Sequence, residues 1–79
     1  MKSYHNRIHM NPDIMLGKPV IKGTRIPAEL IVRKIGEGAL TEDLLDAYPT
    51  ITKEDIQAAI LYAADNLANE VDLFLETGT

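Results

Sequence analysis

Seventy-nine residues, 46% of them apolar and none of them cysteine, allow a single domain and exclude both a disulfide framework and a thiolate metal centre. A chain this short buries only roughly 60% of the surface its unfolded form exposes, so burial against a second chain is the remaining source of stability and a homodimer or a tight complex is expected. The net charge of −4 conceals a gradient: residues 1–34 carry seven cations and two anions, residues 35–79 one cation and ten anions, so the halves either meet different partners or attract one another.

No stretch has the ~18 apolar residues of a membrane span, and "MKSYHNRIHMNPD" lacks the apolar run of a secretory signal. A cytoplasmic protein is therefore expected. In chain order, Arg7–Met10 reads as a short edge strand and Asn11-Pro12-Asp13 as a turn. Gly17-Lys18-Pro19 makes another break. Val20-Ile21 and Thr24-Arg25-Ile26 then flank Lys22-Gly23 in the pattern of a tight β-hairpin. Pro19 and Pro27 confine these strands to a sheet edge.

Pro27 suits the first position of a helix running through "PAELIVRKIGEG", with Ala28, Ile31 and Ile35 on one face and Leu30 and Val32 widening it. Gly36 or Gly38 ends it in a left-handed cap. The next two helices share a start: Leu40 before an N-cap Thr41, and Ile51 before an N-cap Thr52, each apolar residue placed to staple onto Leu45 or Ile56. Thr52 with Asp55 forms a capping box. The middle helix, about 42–48, stops at Pro49. The last is long, its stripe running through Ile56, Ile60, Ala63, Leu67, Val71 and Phe74. Asn69-Glu70 is the point at which a break would fall. Such a helix overshoots its two short companions, so its second half is expected to pack on something outside the monomer.

The expected fold is mainly α: a three-helix, helix-turn-helix-like bundle preceded by a short N-terminal β-hairpin, with a long C-terminal helix. One domain, 1–79, divides into a β segment (7–26), a helical core (27–65) and an acidic, amphipathic extension (66–79).

The chemistry this allows is narrow. Lys22-Gly23-Thr24 inverts the Gly-Lys-Ser/Thr order of a phosphate loop, and no helix follows directly. His5 and His9 stand four apart, but four extended residues span ~13 Å, too far to share a metal ion. Ser3 has no evident base and the carboxylates sit at helix starts or on an outer helix face. No catalytic residue, metal ligand or cofactor is expected, and the protein is not expected to be an enzyme. The basic cluster of Lys18, Lys22, Arg25, Arg33 and Lys34 is the candidate contact surface for a partner or for nucleic acid, with plain solvated charge as the alternative. The third helix would be the DNA reader of a helix-turn-helix, yet it starts with Lys53, Glu54 and Asp55, a poor face for phosphates. Leu67, Val71, Phe74 and Leu75 are candidates for a dimer seam or for docking in a partner's groove, the seam being slightly favoured.

With "GKPVIKGTRIP" followed by "LTEDLLDAYPTITKEDIQAAILYAA", the chain resembles the domain-of-unknown-function 433 family. The resemblance runs over residues 7–65 and rests on Gly17, Pro19-Val20-Ile21, Gly23 to Pro27, the Gly36/Gly38 region, Tyr48-Pro49, Thr52, Asp55-Ile56 and Tyr62-Ala63-Ala64. It implies a helix-turn-helix-like antitoxin paired with a small PIN-like ribonuclease toxin, and it allows binding to promoter DNA. A PIN-like site is a cluster of carboxylates around divalent metal, so a cation inserted from Lys18, Lys22 or Arg25 would block it. The tail beyond residue 65 lies outside the resemblance. A homodimeric DNA-binding regulator, or an adaptor with no toxin partner, remains the alternative.

Overall fold

The computed structural model describes the backbone of residues 6–78 and the side chains of residues 6–69. Two short antiparallel strands, β1 (Ile8–His9) and β2 (Val20–Ile21), precede three helices, α1 (Ala28–Gly36), α2 (Thr41–Ala47) and α3 (Lys53–Gly78). Ile8 pairs with Ile21 and His9 with Val20.

The expected hairpin about Lys22-Gly23 forms in reduced shape. The backbone does reverse there, with Gly23 at φ +82°, Ile21 N–H donating to the Ile26 carbonyl at 2.9 Å and Val20 bridging to Pro27. However, Thr24–Ile26 is not a ladder strand. The Thr24 hydroxyl donates to the Ile21 carbonyl at 2.7 Å and accepts the Ile26 N–H at 3.0 Å, so a side chain takes up backbone groups that a second strand would have paired. β2 finds its ladder partner in the earlier segment, Ile8–His9, instead.

Between β1 and β2 the chain turns twice. Asn11 Oδ1 accepts the Asp13 N–H at 2.9 Å and its carbonyl accepts Ile14 N–H at 2.8 Å, a local closure that Asn before Pro favours. Next, Met15, Leu16 and Gly17 take φ of +50°, +59° and +83° in a single 3-10 turn. Glycine is at home there; the left-handed conformation costs an ordinary L-residue roughly 1–2 kcal/mol. Leu16 also stays 95% exposed, so nothing local compensates. Leu16→Asn is expected to raise stability by about 0.5–1 kcal/mol, a few degrees in Tm, in thermal unfolding of the pure chain.

Each helix boundary has a visible cause. Pro27 occupies the N-cap of α1 at φ −66° and ψ 142°, one position earlier than expected. At the other end Gly38 is the left-handed residue, at φ +103°; Ala39 N–H donates to the Lys34 carbonyl and Gly38 N–H to that of Ile35, both at 3.0 Å. This is the Schellman arrangement, and it settles the choice between Gly36 and Gly38. α2 starts at Thr41 with Leu40 as N-cap. Leucine has no acceptor to offer, so only the return bond forms, Leu40 N–H to Asp43 Oδ2 at 2.8 Å. Leu40 is 61% exposed, which leaves little of it to staple onto Leu45. At α3 the expected box is complete: Asp55 N–H donates to Thr52 Oγ1 at 3.2 Å and Thr52 N–H to Asp55 Oδ2 at 3.0 Å.

The core joins all the elements. Ile21, Ala28, Ile31, Leu44, Ile51, Ile56 and Ala59 are buried together, with Ile8, Ile26, Val32, Ile35, Leu45, Tyr48 and Tyr62 packed around them. Helix α1 lies chiefly on α3. The α3 stripe inferred from spacing parts from this core after Ile56: Ala59 is buried, whereas Ile60 is 41% and Leu67 60% exposed. α3 turns its small-residue side to α1, so alanine rather than isoleucine sets the approach of the two helices. The helix is assigned without interruption through Asn69-Glu70. Its 26 residues span ~39 Å, against a longest molecular extent of 45 Å.

Candidate partner-binding site

The structure sorts the N-terminal cations by what each already does. Arg7 is taken: its Nη1 donates to Asp55 Oδ1 at 3.0 Å. Asp55, itself buried, therefore spends one oxygen on the helix cap and the other on the segment entering β1, tying the start of α3 to that segment. Lys18 is taken as well, with its Nζ donating to Glu29 Oε1 at 2.9 Å on the surface. That hydrogen bond and the charge of Lys18, with a smaller effect from Arg33, hold the Glu29 carboxyl below its ordinary value. Both partners are exposed, so the pair is a weak contributor to stability.

Arg33 and Lys34 occupy the last turn of α1, where cations complement the negative end of the helix dipole. Lys22 and Arg25 remain. Both are exposed, and neither has an acidic partner within ion-pair distance among the described residues. They flank Gly23 on a reversal held by the Thr24 hydrogen bonds and anchored in the core by Ile21 and Ile26. Lys22 N–H also donates to the Arg7 carbonyl at 2.8 Å. The five candidate cations thus do not act as one set. Lys18 is neutralised, Arg33 and Lys34 sit at a helix end, and Lys22 and Arg25 are presented on a fixed turn.

The second feature is a groove of about 480 Å³ between α1 and α3, lined by Ala28, Val32 and Arg33 on one side and by Ala59, Tyr62, Ala63, Asn66 and Leu67 on the other. Leu67, a candidate for a seam or docking contact, stands at its edge. The other three of that group, Val71, Phe74 and Leu75, lie outside the residues whose side chains are described, and His5 of the histidine pair lies outside the described residues altogether. His9 sits in β1, extended and exposed.

Sequence reasoning missed the Arg7–Asp55 pair. Its two members are 48 residues apart, and the capping box gave Asp55 a sufficient local role. It also missed the left-handed turn at Met15-Leu16, for which only Gly17 gave any sign.

The fold has known counterparts. The profile of a protein family described as of unknown function, DUF433, matches residues 8–63. The chain belongs to the DUF433 family. Among crystal structures, that of a DUF433 member from Anabaena variabilis superposes with a TM-score of 0.74 at 33% identity, covering 91% of this chain and 70% of that one. An uncharacterised protein of Sinorhizobium fredii, y4eO, is 38% identical over 56 residues, which is 71% of this chain. The chain spans a quarter of that protein's length. The DUF433 match ends at residue 63, on the stretch of α3 that lines the groove, so the rest of α3 lies outside the family pattern. No helix among the described residues is long and apolar enough to cross a membrane.

Proposed function

We propose that this DUF433 protein is a cytoplasmic, non-enzymatic inhibitor that binds a small PIN-like ribonuclease, the antitoxin role its resemblance implies. The observation that carries the reading is the Lys22–Arg25 turn: two exposed cations without acidic partners among the described residues, on backbone fixed from beneath. A ribonuclease centre that gathers carboxylates around divalent metal is the complementary surface. Arginine suits it better than lysine, since its planar fork can engage a carboxylate through two donors at once. A turn already held in shape also loses little entropy on binding.

Promoter DNA is a weaker fit to the same molecule. The helix that would enter the major groove carries exposed Glu54 in its first turn, which repels phosphates. Asp55 beside it is committed to Thr52 and Arg7.

The test is charge reversal at the turn. Arg25→Glu, with Lys22→Glu as its companion, is expected to weaken inhibition of the cognate ribonuclease by about a hundredfold or more, the scale of a hot-spot charge at an interface. Thermal unfolding should stay within about 0.5 kcal/mol of the parent, because both side chains are exposed. Undiminished inhibition by the doubly reversed protein would remove the turn from the contact surface.

A further inference from the structure

The loop between β1 and β2 holds an apolar side chain out in solvent on backbone that glycine would suit better. Met15 and Leu16 stand at φ +50° and +59°. Leu16 is 95% exposed, and Met10 and Met15 are exposed as well. The antiparallel Asn11–Ile14 bridge makes Met10 and Met15 the next pair in register, so the three apolar residues belong to one tip.

That tip is fixed. Gly17 N–H donates to the Ile14 carbonyl at 3.0 Å and Lys18 N–H to that of Met15 at 3.2 Å, two bonds that each span Leu16. Asn11 closes the near side, taking the Ile14 N–H on its carbonyl and the Asp13 N–H on its side chain. These bonds are made by main-chain groups and by Asn11, and they would form equally around an asparagine at position 16. The leucine side chain makes almost no contact with the chain that holds it.

We propose that Leu16 is an apolar anchor for the partner protein, a single leucine that enters an apolar pocket beside the carboxylate centre met by the Lys22–Arg25 turn. The anchor rests on the ribonuclease reading above and adds a second point to the same contact. Backbone strain held in place by its surroundings is concentrated at binding sites, and a side chain already fixed in its docking pose loses little entropy on binding. Methionines beside it can adapt to the rim of a pocket. The chain joining the two turns is short, since residues 17–22 span at most ~17 Å. A patch of ~800 Å² per partner, the ordinary interface, is about 30 Å across. Both turns fit within one such patch.

Charge favours a protein pocket over a lipid surface. Lys18 is the one lysine or arginine between residues 8 and 21, and it is paired with Glu29. Asp13, exposed on the same loop, repels anionic headgroups. The same carboxylate keeps the tip off an acidic centre, so Leu16 docks beside that centre and not within it.

The test measures the affinity of the full chain for the ribonuclease together with its own Tm. Leu16→Asn is expected to weaken the complex by about tenfold or more while raising Tm by a few degrees, because asparagine tolerates the left-handed backbone. Leu16→Ala should weaken the complex as much without the gain in Tm. A loop that only closed the fold would show no loss of affinity in a variant that stabilises it. Unchanged affinity in both variants, with inhibition still lost in the Lys22→Glu, Arg25→Glu protein, overturns the anchor and leaves the ribonuclease reading standing. Failure of the parent chain to form any complex overturns both. Vesicles of phosphatidylcholine and phosphatidylglycerol, and the pure chain at high concentration, supply the other arms. If Leu16→Asn abolishes vesicle binding or self-association and spares the ribonuclease complex, the protein pocket is overturned and the loop belongs to lipid or to a second copy.

Discussion

Replacing Asp55 by alanine should cost the fold about 2–3 kcal/mol, more than its place near the surface end of a helix would suggest. One carboxylate oxygen accepts the Thr52 N–H and the other accepts from Arg7. Losing an N-terminal cap of this kind costs about 1 kcal/mol, and losing a hydrogen bond to a charged group costs about 1.5–3 kcal/mol. The two losses share one side chain and will not add in full. Asp55→Asn separates them: its amide oxygen can still accept from Thr52 while the charge facing Arg7 is gone, so about half the loss should remain. Urea unfolding of the two variants and of Arg7→Ala checks this. A D55A midpoint indistinguishable from the parent would mean that the cap and the ion pair contribute nothing.

The larger effect is expected at Ile31, which is fully buried in the centre of the cluster formed by Ile21, Leu44, Ile51, Ile56 and Ala59. Truncation to alanine removes three carbons and leaves a cavity that the short helices around it cannot close without moving. About 3 kcal/mol is the ordinary scale of that loss. For a 79-residue chain total stability is roughly 4–12 kcal/mol, so Ile31→Ala should remove between about a quarter and three quarters of it. Ile31→Val should cost about 1 kcal/mol. If the two variants unfold at the same denaturant concentration, the site relaxes freely and the packing described for α1 is wrong.

The helices were legible because their signals are local. Pro27, Pro49, the glycines at 36 and 38 and the Thr52–Asp55 box each mark a boundary, and the backbone stops or starts within about two residues of each. The strand pairing was legible only in part. A Lys-Gly turn flanked by β-branched residues indicates a reversal, but whether the next three residues form a ladder depends on the Thr24 hydroxyl and on Ile8, twelve residues upstream of Val20. Periodicity likewise gave α3 one continuous apolar stripe. It could not say that the core would take the alanine side at Ala59 and leave Ile60 and Leu67 outside, because the choice is made by how closely α1 can approach. The candidate cations were all named from sequence, yet their sorting into paired, helix-capping and unpaired groups is a three-dimensional property.

The proposed inhibitor role is tested most directly by stoichiometry. The chain should be co-expressed with the product of its neighbouring gene, the pair passed over a sizing column, and the ribonuclease activity of each fraction assayed. The expected result is a single complex of fixed stoichiometry whose activity is silent and returns when the two chains are separated. Two independent peaks, with an active ribonuclease or none at all, would contradict it.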